Sequence, residues 1–153
     1  MQIRPSRAAL YLAICAVLVG CGDQETGPQM IEATGVVTLD DVPVEGATVF
    51  FNPATSGSGG KNGGSGGKTA VGETDAEGRF SMQTNIQGGE YGPGVVAGNY
   101  QVTVEKLEGK ARKSMLTPPK DLLPRRYRDR QTSELTATVS PDQANEFSFA
   151  LQK

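Results

Sequence analysis

Residues Gly35–Pro53 read GVVTLDDVPVEGATVFFNP, and this stretch decides the fold. Two runs rich in β-branched and aromatic residues, Val36–Leu39 and Ala47–Phe51, flank a turn that contains two aspartates and Pro43. Proline fixes φ and lacks a backbone donor, and aspartate tolerates turn conformations, so the pattern predicts that the two runs pair as a hairpin. Gly46 lets the second run enter its ladder at a kink or bulge.

The rest of the chain continues this succession of short strands and turns. Asp75 and Gly78 predict a second hairpin, whose type I turn is closed by a left-handed glycine. No long amphipathic helical pattern appears, so we expect an all-β fold, a seven-stranded antiparallel sandwich. The predicted strands are 33–40, 45–52, 69–74, 79–84, 99–107, 134–140 and 145–151.

Alternation along the predicted strands identifies the residues that face the core. Tyr100, Val102 and Val104 alternate with polar residues, which indicates one buried and one wet face. The predicted core consists of Val37, Leu39, Val49, Phe51, Phe80, Met82, Tyr100, Val102, Val104, Leu135, Val139, Phe147, Phe149 and Leu151.

The N-terminus has the organisation of a secretory signal. Arg4 and Arg7 precede the apolar run Ala8–Val19, which is too short to span a membrane and ends in Leu18-Val19-Gly20-Cys21. These four residues resemble the bacterial lipobox, which implies that cleavage leaves a lipidated Cys21 at the new N-terminus. The alternative, an ordinary secretory signal, would leave a lone free thiol in an oxidising compartment, so we expect lipidation.

The predicted domain organisation has three parts. Residues 1–20 form the signal peptide, 21–32 comprise the lipidated cysteine and a flexible tether, and 33–153 form the sandwich with long loops at 53–68, 85–96 and 108–133. The expected location is the bacterial cell envelope, periplasmic or outer surface, with membrane attachment through Cys21.

Composition argues against several kinds of chemistry. The chain has no histidine, the usual general base and commonest metal ligand, and one cysteine remains after processing. Gly66-Gly67-Lys68-Thr69 resembles the end of a phosphate-binding loop but opens a strand inside a Gly/Ser tract. Glu73, Asp75 and Glu77 are too few oxygen ligands for an EF-hand-like calcium loop. We expect no enzymatic activity, cofactor or metal.

Charge is concentrated in one segment of an acidic chain. Without residues 1–20 the chain has 13 basic and 17 acidic residues, but 106–130 alone has nine basic and three acidic ones. One hypothesis is a solvated loop that offsets the acidic sandwich. The other is contact with an anionic surface, made of lipid headgroups, an acidic polymer or an acidic partner, through Arg125, Arg126, Arg128 and Arg130. Nucleic acid is not expected as a partner outside the cytoplasm.

Four groups of residues form recurring motifs along the predicted strands. They are Gly35, Val37, Pro43, Val44, Gly46, Ala47, Val49 and Phe51; Thr74, Asp75, Gly78 and Phe80; Gly98, Tyr100, Val102 and Val104; and Leu123, Pro124, Tyr127, Thr132, Ser133, Leu135, Asn145, Phe147, Phe149 and Leu151. Together they resemble the carboxypeptidase regulatory-like, or transthyretin-like, β-sandwich domain of bacterial lipoproteins, which implies a sandwich of the Ig-like or prealbumin-like kind. One departure is Asp41, at a turn position where the family more often has glycine; aspartate reaches positive φ there at some cost.

The resemblance implies a function without catalysis. In carboxypeptidases a domain of this type accompanies the catalytic domain and performs no chemistry itself, and the transthyretin-related hydrolases use histidine, which this chain lacks. We therefore expect a non-enzymatic, membrane-anchored envelope lipoprotein whose sandwich serves as a structural or interaction module, with an envelope protein, anionic polymer or glycan as partner. The alternative is a carbohydrate-binding module that uses Tyr91 and Tyr127 as stacking surfaces.

Overall fold

A computed structural model of the chain describes residues 29–54, 68–85, 89–108 and 120–153. Within these ranges the protein is all-β, without an α-helix, and has a single 3₁₀ turn at Arg125–Tyr127. The strands there are β1 (Met30–Ile31), β2 (Thr34–Leu39), β3 (Val42–Pro43), β4 (Thr48–Pro53), β5 (Ala70–Glu73), β6 (Arg79–Ser81), β7 (Gln83–Asn85), β8 (Tyr91–Pro93), β9 (Val95–Val96), β10 (Gly98–Glu105), β11 (Leu135–Val139) and β12 (Glu146–Leu151).

The strands of the described ranges form three sheets. The six-stranded sheet has the order β11-β10-β4-β5-β7-β8, the four-stranded sheet contains β12, β2, β3 and β6, and β1 pairs with β9 in a small third sheet. Neighbouring strands are antiparallel except β2 and β12, which are parallel. The prediction of a wholly antiparallel fold is therefore wrong at this pair. β11 and β12 lie in different sheets, so the turn between them is not a hairpin and does not make β12 antiparallel to its neighbour.

The predicted pairing of 33–40 with 45–52 is also wrong. β2 forms a tight hairpin with the two-residue β3, whereas β4 pairs with β5 and β10 in the six-stranded sheet. Both apolar runs have a buried face, but they lie in different sheets: across the core, Phe51 on β4 contacts the Phe149 ring on β12, the strand beside β2, at 6.2 Å between centroids. The turn itself contains Asp40 and Asp41 with φ of 49° and 65°, which confirms that aspartate adopts positive φ here.

The second predicted hairpin has the expected turn but a different continuation. Gly78 has a φ of +73°, and Asp75 Oδ1 accepts backbone hydrogen bonds from Glu77 and Arg79 at 3.0 and 2.7 Å. The strand that follows divides at Met82: β6 pairs with β2, and β7 pairs with β5 in the other sheet. The fully buried Met82 lies where the chain crosses between the two sheets.

The predicted core is confirmed with small differences. Eleven of its fourteen residues are buried, and Leu39, Leu135 and Phe147 are partly buried against them. Phe51 lies at the centre, within 6.4 Å between ring centroids of four other aromatic rings. The prediction omitted Ala33, Val44, Ala47, Ala70, Val95, Val96, Leu123, Tyr127 and Ala137, which are buried as well.

Several segments predicted as loop or tether contribute to the fold. Met30 and Ile31, assigned to the tether, form β1, and the predicted loop 85–96 contains β8 and β9. Residues 1–28, 55–67, 86–88 and 109–119 lie outside the described ranges, so the signal peptide, Cys21 and the Gly66-Gly67 motif do too. Among the described residues, no helix is long and apolar enough to cross a membrane.

Candidate functional site

The stretch 120–133, which holds the larger described part of the basic segment 106–130, is anchored to the fold at both ends. At its start Asp121 Oδ1 accepts hydrogen bonds from the backbone N–H groups of Lys106 and Leu123, at 3.3 and 3.0 Å. At its end the Ser133 hydroxyl donates to the Val102 carbonyl at 2.6 Å. Buried Leu123 and Tyr127 attach the middle to the core. The segment therefore has a defined surface.

Tyr127 is not the exposed stacking surface that the sequence suggested. Its side chain is buried, and its hydroxyl accepts hydrogen bonds from the Gln152 backbone N–H at 2.9 Å and from Arg126 Nη2 at 3.1 Å. The Arg126 guanidinium also lies 4.9 Å from the centre of the Tyr127 ring. The part of the carbohydrate-binding alternative that uses Tyr127 as an exposed stacking surface is wrong, because the side chain is buried and the fold uses both its ring and its hydroxyl.

Three of the four predicted arginines make contacts within the fold. Arg126 donates to the carbonyl oxygens of Gln152 and Lys153, Arg130 donates to the Pro53 carbonyl at 2.9 Å, and Arg128 pairs with Glu105 at 3.2 Å. All four arginines are nevertheless exposed. A guanidinium has five N–H donors, so one contact leaves donors on Arg128 and Arg130 for a ligand.

Three of the four arginines lie on one surface. Arg125, Arg128 and Arg130 line a shallow, open depression together with Asp129 and Gln131, which we call the arginine depression. Asp129 Oδ1 accepts from the Gln131 N–H at 2.8 Å, and Asp129 is the one carboxylate beside three arginines in this lining. The depression suits an anion, whereas Arg126 is turned towards the end of β12.

Tyr91 is exposed as predicted, with 56% of its surface accessible. It lies on β8, at the opposite edge of the six-stranded sheet from β11. β10 contacts the Arg125–Tyr127 turn and lies four positions from β8, and at about 4.8 Å between neighbouring strands this separation is roughly 19 Å. Tyr91 and Tyr127 therefore do not form one site.

A second concavity lies on the four-stranded sheet. Its outward side chains form two rows across three strands, Glu146 beside Thr34 and Ser81, and Ser148 beside Val36 and Arg79. Glu73 and Asp75 border it, but Asp75 Oδ1 is already used by the turn. In the described part of the chain, no group of three or more His, Cys, Asp or Glu side chains is placed to hold a metal ion.

The sequence reasoning missed two polar side chains that position these surfaces. One is Asp121, whose signal is an aspartate two residues before Leu123, the spacing of an Asx turn. The other is Thr74, which is buried: its hydroxyl donates to the Val44 carbonyl at 2.6 Å and accepts from the Ala47 N–H at 2.8 Å. Thr74 thereby fixes the 44–47 turn against the end of β5.

Comparison with known proteins found no matching family model, no similar curated protein and no similar solved structure.

Proposed function

We propose that this chain is a non-enzymatic lipoprotein of the bacterial envelope, anchored through Cys21, whose β-domain presents a binding surface to an anionic partner. The domain would be a prealbumin-like sandwich of the carboxypeptidase regulatory-like type, with seven principal strands. The sequence supports the anchor through its lipobox, and the arginine depression supports the binding role.

The observation that carries this proposal is that Arg125, Arg128 and Arg130 line one open depression. The direction of the chain adds the position of Arg126. The described chain starts at one end of β2, next to β1, and β2 then extends over six residues, about 20 Å, to Asp40. Asp40 lies beside Lys153, and Arg126 binds the carbonyls of Gln152 and Lys153 at that same far end. A chain anchored through its N-terminal residues would therefore present Arg126 away from its attachment.

The chemistry of the arginine depression favours anionic groups with several oxygens. Guanidinium groups bind carboxylates and phosphates through two parallel hydrogen bonds, which fixes geometry as well as charge. The contacts of Arg128 with Glu105 and of Arg130 with Pro53 preorganise two of these groups, so less side-chain entropy is lost on binding. The partner would be an acidic envelope polymer or an acidic protein surface.

The anchor is tested by Cys21→Ser. We expect the variant to move from the membrane to the soluble fraction, or to persist as an unprocessed precursor, and to lose labelling by palmitate. Labelling and membrane association that survive the substitution unchanged would overturn the anchor, whatever the domain binds.

The binding surface is tested by a matched pair of single substitutions, Arg125→Gln and Arg79→Gln. Both residues are exposed arginines, but only Arg125 lines the arginine depression. At about 1 kcal/mol for each basic residue near an anionic surface, Arg125→Gln should weaken retention on a polyglutamate resin at low salt by roughly fivefold. Arg79→Gln should leave retention unchanged. Equal losses for the two variants would show a response to net charge alone, without a site.

The structure favours a single substitution over removing all four arginines. Arg126 donates to backbone carbonyls beyond β12 and Arg130 donates to the Pro53 carbonyl at the end of β4, so a quadruple variant would disturb the fold together with the charge.

Exposed Tyr91 supports carbohydrate binding as a second candidate function. Its ring lies on an edge strand, next in sequence to the exposed Glu90, and an exposed aromatic ring offers an apolar face on which a sugar could stack. Binding on a glycan array that Tyr91→Ala abolishes would favour this candidate over the arginine depression.

A further inference from the structure

The outer edge of β12 carries backbone groups that no strand of the described chain covers. Thr34 N donates to the Asn145 carbonyl at 3.0 Å, and Asp40 N donates to the Leu151 carbonyl at 2.9 Å. In a parallel ladder alternate residues bond to the same neighbour, so residues 145, 147, 149 and 151 direct their backbone groups to β2. Glu146, Ser148 and Ala150 therefore direct theirs outward, as does Gln152.

The two ends of this free edge differ. The outward N–H of Gln152 donates to the Tyr127 hydroxyl, and its carbonyl accepts from Arg126. Side chains of the basic segment thus close the edge at Gln152. In the chain as described, Glu146, Ser148 and Ala150 remain without a pairing strand on that side, and all three are exposed. A row of unpaired N–H and C=O groups is a template for another strand.

We propose that the occupant of this edge is β12 of a second copy of the chain, paired antiparallel about a two-fold axis at Ser148. In this register Ser148 faces Ser148 of the second copy, and Glu146 faces Ala150 of the second copy. The backbone groups of the three open residues, Glu146, Ser148 and Ala150, then all pair. The two six-residue strands join two four-stranded sheets into one continuous sheet. The interface is isologous and closes at two copies.

Charge and side-chain chemistry fit a copy of the same strand. The two Glu146 side chains lie four residues apart along the pairing, about 14 Å, so no carboxylate faces another. On the inner face Phe147, only partly buried in one copy, lies opposite Phe149 of the second copy at the spacing of a cross-strand aromatic pair. Pairing would cover the part of the Phe147 ring that one copy leaves exposed.

Other registers use the edge less well. A shift of the two-fold axis by one residue, to Phe147 or Phe149, leaves only two open residues of each copy paired. A shift to Ala150 places Ser148 opposite Gln152, whose backbone groups already bind Tyr127 and Arg126. A shift to Glu146 brings the two Glu146 carboxylates face to face. The three unpaired residues and the closure of the edge at Gln152 together select the axis at Ser148.

Cysteine crosslinking in the full chain tests both the contact and its register. Directly opposite residues of a hydrogen-bonded antiparallel pair have Cα atoms about 5.5 Å apart, within the range that a disulfide spans. Ser148→Cys should therefore form a disulfide-linked dimer on mild oxidation of intact cells. Ala150→Cys is the matched control, because its two copies would lie about 14 Å apart; we expect about tenfold less dimer. The unsubstituted chain, which already contains Cys15 and Cys21, sets the background.

Co-expression of Glu146→Cys and Ala150→Cys chains should also give a crosslinked dimer, since Glu146 of one copy faces Ala150 of the second. Equal dimer yields from Ser148→Cys and Ala150→Cys would indicate random collision and overturn the proposal. So would the absence of a dimer, or crosslinking of Ser148→Cys only to a different protein.

A second variant does not depend on cysteine. Ser148→Lys places two like charges opposite each other at the two-fold axis, while its exposed side chain makes no contact that the fold needs. Sedimentation of the detergent-solubilised full chain should change from dimer to monomer with an unchanged circular dichroism spectrum. A variant that remains dimeric would overturn the proposed edge. Fractionation of the Cys21→Ser chain reports separately on the anchor.

Discussion

Gly78 provides a test of how the turn after β5 supports both larger sheets. Its φ of +73° disfavours any side chain, and a Cβ built there would lie 2.5 Å from the Val37 carbonyl oxygen and 3.3 Å from Pro43 Cβ. Real Cβ atoms essentially never approach backbone atoms so closely, so β2 or the turn must shift. The shift would stretch the hydrogen bond from Val37 N to the Gly78 carbonyl, now 2.8 Å.

Gly46 separates the cost of the backbone angle from the cost of this crowding. Its φ of +65° is similar, but a Cβ there would meet nothing within 4 Å. A left-handed non-glycine residue costs about 1–2 kcal/mol, which is the expected loss for Gly46→Ala. Overpacking adds about 1–3 kcal/mol, so Gly78→Ala should lower the free energy of unfolding by about 2–5 kcal/mol.

Urea unfolding of residues 21–153 with Cys21→Ser, followed by circular dichroism, measures both losses. The prediction depends on the difference between the two variants. Equal losses would refute the close approach of Gly78 to β2, and a negligible loss for both would refute the left-handed turns.

Two further substitutions test buried hydroxyl groups. Burial raises the pKa of Tyr100 above its ordinary 10.0, so the unfolded chain releases this proton at lower pH than the folded one, and stability should fall as pH rises above about 10. Tyr100→Phe should flatten that alkaline decline; it also removes the 2.7 Å hydrogen bond to the Val96 carbonyl, which should lower stability at neutral pH by about 0.5–1.5 kcal/mol. An alkaline decline of equal steepness in both proteins would show that Tyr100 does not cause it. Thr74→Val keeps the shape of the side chain but leaves the Ala47 N–H and the Val44 carbonyl without their partner, at about 1–3 kcal/mol for each group. Urea unfolding checks this, and a loss below 1 kcal/mol would mean that water or a small shift replaces the threonine.

The sequence predicted the strands far better than their partners. Local alternation and turn residues place five of the seven predicted strands within two residues of their observed bounds, because burial of one face and positive φ are local properties. Pairing is not local. Val36–Leu39 and Ala47–Phe51 are close in sequence and both strongly β, yet Pro43 and Val44 end the first hairpin early and the chain crosses to the opposite sheet.

The division of the predicted strand 79–84 has a similar origin. Arg79, Phe80 and Ser81 alternate as a strand on the four-stranded sheet, and Gln83 and Thr84 alternate as a strand on the six-stranded one. Met82 keeps the period of two across the crossing, so the alternation gives no sign that the chain changes sheets.

Gly35 is the opposite case, because the sequence showed that it belongs to a motif but gave no structural reason for glycine. The structure provides that reason. A Cβ on Gly35 would collide with the Phe147 carbonyl and the Phe80 ring, so the two neighbouring strands require glycine there.

The basic segment has features of both hypotheses that the sequence analysis treated as alternatives. Charge counting offered a solvated loop or an anion-binding arm, and the hydrogen bonds of Arg126, Arg128 and Arg130 show that this charge also supports the fold. Arg126 and Tyr127 close one end of the β12 edge, while the neighbouring arginines form the depression. One segment thus limits how far a strand can extend along β12 and positions the groups that would meet an anion. Loss of the Arg126 contacts should therefore free Gln152 and relax the register of strand pairing, whereas loss of Arg125 should weaken anion binding alone.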